Sequence, residues 1–239
     1  MNKSNPINEL QLLLRNDLNS VTNLIENTMN SSSVPRIPEI STHIFSAGGK
    51  KLRPLLCLAT AQALNYRHDK HIILAASIEF IHTATLLHDD VVDESSTRRG
   101  NKTANILWNN QSSILVGDFL FSKAFQLMVS TGSIKVLEVL ANTSAIIAES
   151  EVLQLSQVGN IETSINTYMK IIEGKTAALF SAASQAGAMI SSNNLDHIDD
   201  WSLKYLNDWT QKNKIFIQKD DKYKNLILGL RDCDDFRLI

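Results

Sequence analysis

The run His88-Asp89-Asp90-Val91-Val92-Asp93-Glu94, followed within a few residues by Arg98-Arg99-Gly100, sets dense carboxylate beside dense guanidinium. On a helix turning roughly 100° per residue, Asp89, Asp90 and Asp93 fall on one narrow face, with no acid/base partner among them. Such crowding is unfavourable unless a cation shares the site. Hard divalent ions such as Mg²⁺ take oxygen ligands and are held by one or two carboxylates together with substrate phosphates. The two arginines suit phosphate oxygens, because a planar guanidinium presents paired donors. These residue types can therefore do metal-assisted handling of a diphosphate. A solvated helix end decorated with Asp is the plainer reading of the same spacing.

Further anion-binding signals stand elsewhere. In Ser46-Ala47-Gly48-Gly49-Lys50-Lys51-Leu52-Arg53-Pro54, two glycines and three cations precede a helix that Pro54 can begin, so backbone N–H groups and side chains converge on an anion. Gly174-Lys175-Thr176 has the end of a phosphate loop, but Met169 occupies the place of the required first glycine, which rejects a Walker-type site. A lysine and a hydroxyl at a helix break can still grip a diphosphate, or the segment is an ordinary helix–helix turn. His82 lies two turns before Asp89 on roughly the same face, as a ligand or as a satisfied core histidine.

The elements that must hold these residues read as helices. Apolar residues recur at helical spacing over Asn8 to Asn27, Arg53 to Asn65, His71 to Asp93, Ser113 to Ser130, Ile134 to Val158, Ser164 to Glu173 and Lys175 to Ser191. Glycines number nine and prolines four, so punctuation is sparse and the fold class expected is all-α. Ser95 to Asn110 is polar and reads as a loop. His82, Thr85 and Leu86 lie near the carboxylate face, as in the wall of a cavity, and the Ala-rich stretch from Lys175 to Ala188 allows close helix packing around it.

With 239 residues, 44% of them hydrophobic, the chain can bury a sizeable core. A net charge of -2 leaves no electrostatic footprint for nucleic acid. No long apolar run suggests a transmembrane segment, and the first residues lack the pattern of a signal or transit peptide, so a cytoplasmic location is expected. Cys57 and Cys233 read as reduced thiols. Composition changes near Leu195: residues 196–239 hold nine Asp and eight Lys or Arg but no Ala, Val or Glu. The expected organisation is a helical domain over 1–195 and a divergent tail over 196–239.

Together, Gly48-Gly49-Lys50-Lys51-Leu52-Arg53-Pro54, His82 through Glu94, Arg98-Arg99-Gly100, Gly117-Asp118-Phe119-Leu120 and Gly174-Lys175-Thr176 resemble the trans-polyprenyl diphosphate synthases, especially the bacterial octaprenyl and decaprenyl diphosphate synthases of quinone biosynthesis. The resemblance covers about Asn8 to Ile190. It implies an all-α bundle around a central cavity, Mg²⁺ as cofactor, and condensation of isopentenyl diphosphate onto an allylic diphosphate. Carried over by position, Asp89 and Asp93 would bind Mg²⁺ with Asp90 supporting them. Lys50, Arg53, His82 and Arg99 would hold isopentenyl diphosphate, while Arg98, Lys175 and Thr176 would hold the allylic diphosphate. Small residues at Ala84 and Thr85 imply a long product of the octaprenyl or decaprenyl class, destined for isoprenoid quinones such as ubiquinone. The resemblance also implies a homodimer, with the Ser113 to Ser130 helix and its Phe119, Phe121 and Phe125 contributing.

The tail departs from the pattern. The family's second Asp-rich helix is represented by Phe216-Ile217-Gln218-Lys219-Asp220-Asp221, with Lys224 in place of a third carboxylate, and Asp232, Asp234 and Asp235 cluster near the end. The expectation drawn is a chain truncated or disrupted after about Leu195. Its alternative function is that of a non-catalytic partner subunit or inactive remnant of such a synthase. A terpene cyclase would leave the second anion site unexplained.

Overall fold

The computed structural model describes residues 6–30 and 33–191. The expectations for residues 196–239, including Asp220, Asp221 and the terminal acidic cluster, lie outside these residues, as does Cys233. The order of elements is α1 (Pro6–Leu13), α2 (Arg15–Met29), α3 (Arg36–Ser46), α4 (Leu52–Ala63), α5 (Lys70–Val92), β1 (Thr97–Arg98), β2 (Asn101–Lys102), α6 (Ala104–Leu107), α7 (Asn110–Ser130), α8 (Ile134–Gln157), α9 (Ile165–Ile172), a π-helical turn (Glu173–Ala177) and α10 (Ala178–Ser191). The all-α expectation holds.

Helix α5 runs through the middle, packed against α2, α4, α7 and α10. Leu74, Ile78, Phe80, Ile81 and Leu87 are fully buried on different sides of it. Each such side chain contributes roughly 1.5–3 kcal/mol on leaving water. By length and composition α5 and α7 could each cross a membrane, although Glu79 interrupts the apolar run of α5 and Asp118 and Lys123 that of α7. For α5 the composition has another cause, because most of its surface faces neighbouring helices. Cys57 is buried in the core, where loss of water pushes its thiol up to about 12, so it stays protonated.

Four departures from the expected elements have local causes. The predicted first helix is kinked at Leu14, although Leu14 and Leu18 still donate backbone bonds to Leu10 and Leu14. Helix α3 was unforeseen because Pro35 and Pro38 precede or enter it. Both fall at or before its first turn, where a missing N–H loses no helical bond. The expected loop 95–110 contains a two-residue hairpin, with Thr97 opposite Lys102 and Arg98 opposite Asn101, and the short helix α6. Arg99 and Gly100 form its tip with φ of 51° and 82°, the backbone such tight hairpins require. Finally, Gly174-Lys175-Thr176 is no helix break: the chain passes from α9 to α10 through one π turn. Single π turns inserted in α-helices are frequent at functional sites.

Gly187 carries the contact between α10 and α4. A Cβ there would lie 2.4 Å from the Cys57 carbonyl oxygen, and next to this contact Thr60 and Ser184 hydroxyls are hydrogen-bonded at 3.0 Å.

Candidate active site

At the C-terminal end of α5 the three aspartates part company. Asp93 is the C-cap, its N–H still donating to the Asp89 carbonyl at 2.8 Å, so these two remain one turn apart on one face. Asp90 does not share it, which corrects the expectation of three carboxylates on a single face. One further step of roughly 100° turns Asp90 inward, where it is 2% exposed. There Arg98 donates from Nε to Oδ2 at 3.0 Å and from Nη2 to Oδ1 at 2.8 Å. The same hairpin is held by Asn105 Nδ2, which donates to the Asp90 and Ser95 carbonyls at 3.2 Å. His43 Nε2 adds a bond to the Lys102 carbonyl at 2.8 Å.

Asp89 faces the π turn. Lys175 Nζ lies 3.6 Å from Asp89 Oδ2 and donates to Glu151 Oε2 at 2.9 Å. Gly174 makes this approach possible, because a Cβ at that position would collide with the Ser150 side chain on α8. Burial, reinforced by Glu151, pushes the Asp89 carboxyl up to about 6, against the pull of Lys175. For Lys175, burial alone would lower the ammonium pKa. The Glu151 hydrogen bond and the Asp89 charge outweigh burial and raise it.

About two turns back along α5, a cavity opens between α5, the end of α3, the glycine loop and the hairpin. Its lining includes Gly48, Gly49, Lys51, Glu79, His82, Arg98 and Arg99. Two of its cations extend from left-handed backbone, Lys51 at φ 49° and Arg99 at φ 51°, an uncommon conformation for side-chain-bearing residues. Arg99 lies so close to Gly49 that a Cβ there would sit 2.7 Å from Nη1. Lys51 Nζ donates to Thr22 Oγ1 at 2.9 Å. Arg53 stacks 4.1 Å above the Phe180 ring and donates to His82 Nε2 at 3.3 Å. Burial and the neighbouring arginines hold His82 well below its usual pKa, so it is the neutral ring that accepts this bond. Burial likewise lowers Arg53 to about 10, with Glu79 opposing.

Two clusters of charged side chains thus gather along α5 about two turns apart, one around His82 and one around Asp89. The polyprenyl synthetase family pattern matches residues 34–208, which covers both groups and the helices that carry them. The chain belongs to the polyprenyl synthetase family.

It is 45% identical over 185 residues to octaprenyl diphosphate synthase of Escherichia coli strain K12, covering 77% of this chain and 57% of that protein. A nonaprenyl diphosphate synthase of Rhodobacter capsulatus is 46% identical over 162 residues, 67% of this chain and 50% of that protein. The chain therefore spans little more than half the length of these relatives. Among solved structures, a decaprenyl diphosphate synthase from Rhodobacter capsulatus superposes with a TM-score of 0.80 at 50% identity, over 84% of this chain and 63% of that one. A polyprenyl synthase from Caulobacter crescentus CB15, solved with calcium and isoprenyl diphosphate, gives 0.82 at 46% identity, over 87% and 63%.

Within this polyprenyl synthetase chain, the residues nominated from sequence fall into two groups that differ from the expected ones. His82 and Arg99 line the cavity and Arg53 bonds His82 beside it, while Arg98, expected with Lys175 and Thr176, lines this cavity as well. Lys51 lines the cavity, while Lys50 is exposed and its carbonyl accepts from Gln11. Thr176 is half-buried in the π turn and Ala84 sits in the core. Thr85 donates its hydroxyl to the His82 carbonyl. Glu79 and Glu151 were not nominated: each stands inside a helix away from cations in sequence, and only the fold brings it to them.

The donor set suits Mg²⁺. Asp89, Asp93 and Glu151 offer hard oxygens, and Asp89 carries negative charge that Lys175 only partly offsets. Among the described residues no three His, Cys, Asp or Glu side chains are gathered to hold an ion unaided. Mg²⁺ held by few carboxylates keeps waters or phosphate oxygens as its remaining ligands.

Proposed function

We propose that this chain is a Mg²⁺-dependent, long-chain trans-polyprenyl diphosphate synthase that condenses isopentenyl diphosphate onto an allylic diphosphate. The observation that carries the reading is the pair of charged clusters gathered along α5, the cavity cations around His82 and the carboxylates with Lys175 around Asp89. The cavity cations serve one diphosphate, and Asp89, Asp93 and Lys175 serve the other.

In the reaction, the bond from C1 of the allylic substrate to its diphosphate oxygen breaks and pyrophosphate leaves. The double bond of isopentenyl diphosphate supplies the electron pair for the new C–C bond. A proton beside that bond is lost, and the product keeps the diphosphate that arrived on the isopentenyl unit. Mg²⁺, when held by Asp89 and Asp93, supplies positive charge against the departing diphosphate. Lys175, oriented by Glu151, and Thr176 grip the same group. Lys51, Arg53, His82, Arg98 and Arg99 fix the isopentenyl diphosphate, Lys50 adds a nearby cation, and Asp90 holds Arg98 in place. The protein's share is charge stabilisation and alignment of two apolar tails.

Small side chains at Ala84 and Thr85 support an octaprenyl to decaprenyl product for quinone side chains, made in the cytoplasm. Incubated with farnesyl diphosphate, labelled isopentenyl diphosphate and Mg²⁺, the protein is expected to make such products, and chelation of Mg²⁺ to stop it. A folded protein that elongates nothing would sink the reading.

A homodimer through α7 belongs to the same proposal. Leu115 and Val129 on this helix are 65% and 61% exposed, and Phe119, Phe121 and Phe125 between them are only partly buried, which supports a second copy packing on it. Sedimentation is expected at twice the chain mass of 26.6 kDa, and Leu115→Glu at the monomer mass. A wild-type monomer at micromolar concentration would count against it.

A further inference from the structure

Glu79 is a carboxylate built into an anion-binding cavity. It lies one turn before His82 on α5 and lines the same cavity as Lys51, Arg98 and Arg99. Arg53, Lys51 and Arg99 are the cations that face it. Each of them also has a contact besides Glu79. Arg53 has the Phe180 ring and His82, Lys51 has Thr22, and Arg99 has the space above Gly49. The buried Nε of Arg53 has no partner among the described residues, so Glu79 does not anchor it there. Arg98 is already matched by Asp90. The charge left for an incoming diphosphate is that of Lys51 and Arg99, with Arg53 beside His82, less that of Glu79 when ionised; burial raises the Glu79 pKa and the three cations oppose that rise.

We propose that Glu79 sets the cavity's affinity for diphosphate, keeping it weak enough for the anion to leave after each condensation. The inference rests on the synthase reading. In that reaction the diphosphate on the isopentenyl unit stays on the product, so it must pass from the cavity to the Asp89 and Lys175 side before the next unit can enter. A synthase adding several units repeats this exit in every round. A cavity with uncompensated cations would hold the first product and stall.

The test uses Glu79→Gln, Glu79→Asp, Lys51→Gln and the double variant Glu79→Gln/Lys51→Gln in the full chain. Inorganic pyrophosphate is titrated calorimetrically without Mg²⁺, and elongation kinetics are measured with it. Glu79→Gln is expected to bind pyrophosphate about tenfold tighter, as loss of one like charge at short range allows. KM for isopentenyl diphosphate and kcat should fall together, and products should shorten. Glu79→Asp should stay within about twofold of wild type, and the double variant should return to wild-type affinity, which loss of a purely structural brace would not produce. Weaker or unchanged pyrophosphate binding by folded Glu79→Gln overturns the proposal, as does a double variant that binds more weakly than Lys51→Gln alone. If wild type elongates nothing while Glu79→Gln binds tighter, the synthase reading falls and the role of Glu79 stands. If wild type elongates normally and Glu79→Gln binds no tighter, the reverse holds.

Discussion

Asp89→Asn is expected to cut turnover by about 10³-fold and, in the same protein, to raise the melting temperature. The first effect follows from removing a preorganised charge at the leaving diphosphate, a type of loss that costs about 10²–10³ in kcat where one group is removed. The second follows from the cost of keeping Asp89 ionised in the fold. Its carboxyl is pushed from 3.8 up to about 6 by burial and by Glu151, with Lys175 opposing. Below the unfolded value both states are protonated and no penalty exists. As pH rises from there to about 6, the unfolded chain gives up its proton more readily, and stability is lost. Above that window the full penalty applies, about 3 kcal/mol at 1.36 kcal/mol per unit. Asparagine removes the charge and keeps the shape. Without Mg²⁺ at pH 7.5 the variant should melt higher by about 5–10 °C, at roughly 2–4 °C per kcal/mol for a chain of this size. At pH 4 the gain should nearly vanish. Calorimetric scans of both proteins at the two pH values decide it, and a variant that melts lower at pH 7.5 contradicts the argument.

This unrelieved charge is the physical form of what the residues suggested in one dimension. Asp89 and Asp93 were legible because their spacing keeps them on one face of any helix. Asp90 was not, because its fate depends on Arg98, and that residue reaches it only through a hairpin whose tip takes two left-handed residues. The Gly48-Gly49 loop was visible as a place where cations gather, and it lines the cavity. The choice between Lys50 and Lys51 was hidden, since adjacent residues diverge once Lys51 adopts left-handed backbone. Glu79 and Glu151 were hidden for a related reason. Glu79 stands in the apolar run of α5 and Glu151 on an ordinary-looking amphipathic helix. Neither has a cation near it in sequence, and both acquire cations from α4, the glycine loop, the hairpin or the π turn. The pattern of apolar residues indicated where α5, α7 and α8 lie. It missed α3, whose prolines mark a break unless they fall in a first turn.

Gly187→Ala is expected to destabilise the protein by about 2–3 kcal/mol, the upper part of the range for overpacking a close contact. The added methyl would meet the Cys57 carbonyl oxygen at 2.4 Å and the Thr60 Cβ at 3.2 Å. The first of these is backbone within α4 and cannot rotate aside, so the two helices must separate. Separation weakens the hydrogen bond between Thr60 and Ser184. It also draws Phe180 on α10 away from Arg53 on α4, which now lie 4.1 Å apart. The melting temperature should fall by about 5–10 °C. KM for isopentenyl diphosphate should rise several-fold, because the buried guanidinium loses the ring that aims it, while Asp89 and Lys175 stay in register through α5, α8 and the π turn. Thermal denaturation with steady-state kinetics on one preparation reads both effects. A variant that melts low but keeps its KM would show that Arg53 is aimed by His82 alone. One that melts like wild type would mean α10 can slide over α4 without strain, which a 2.4 Å approach to a helical carbonyl does not permit.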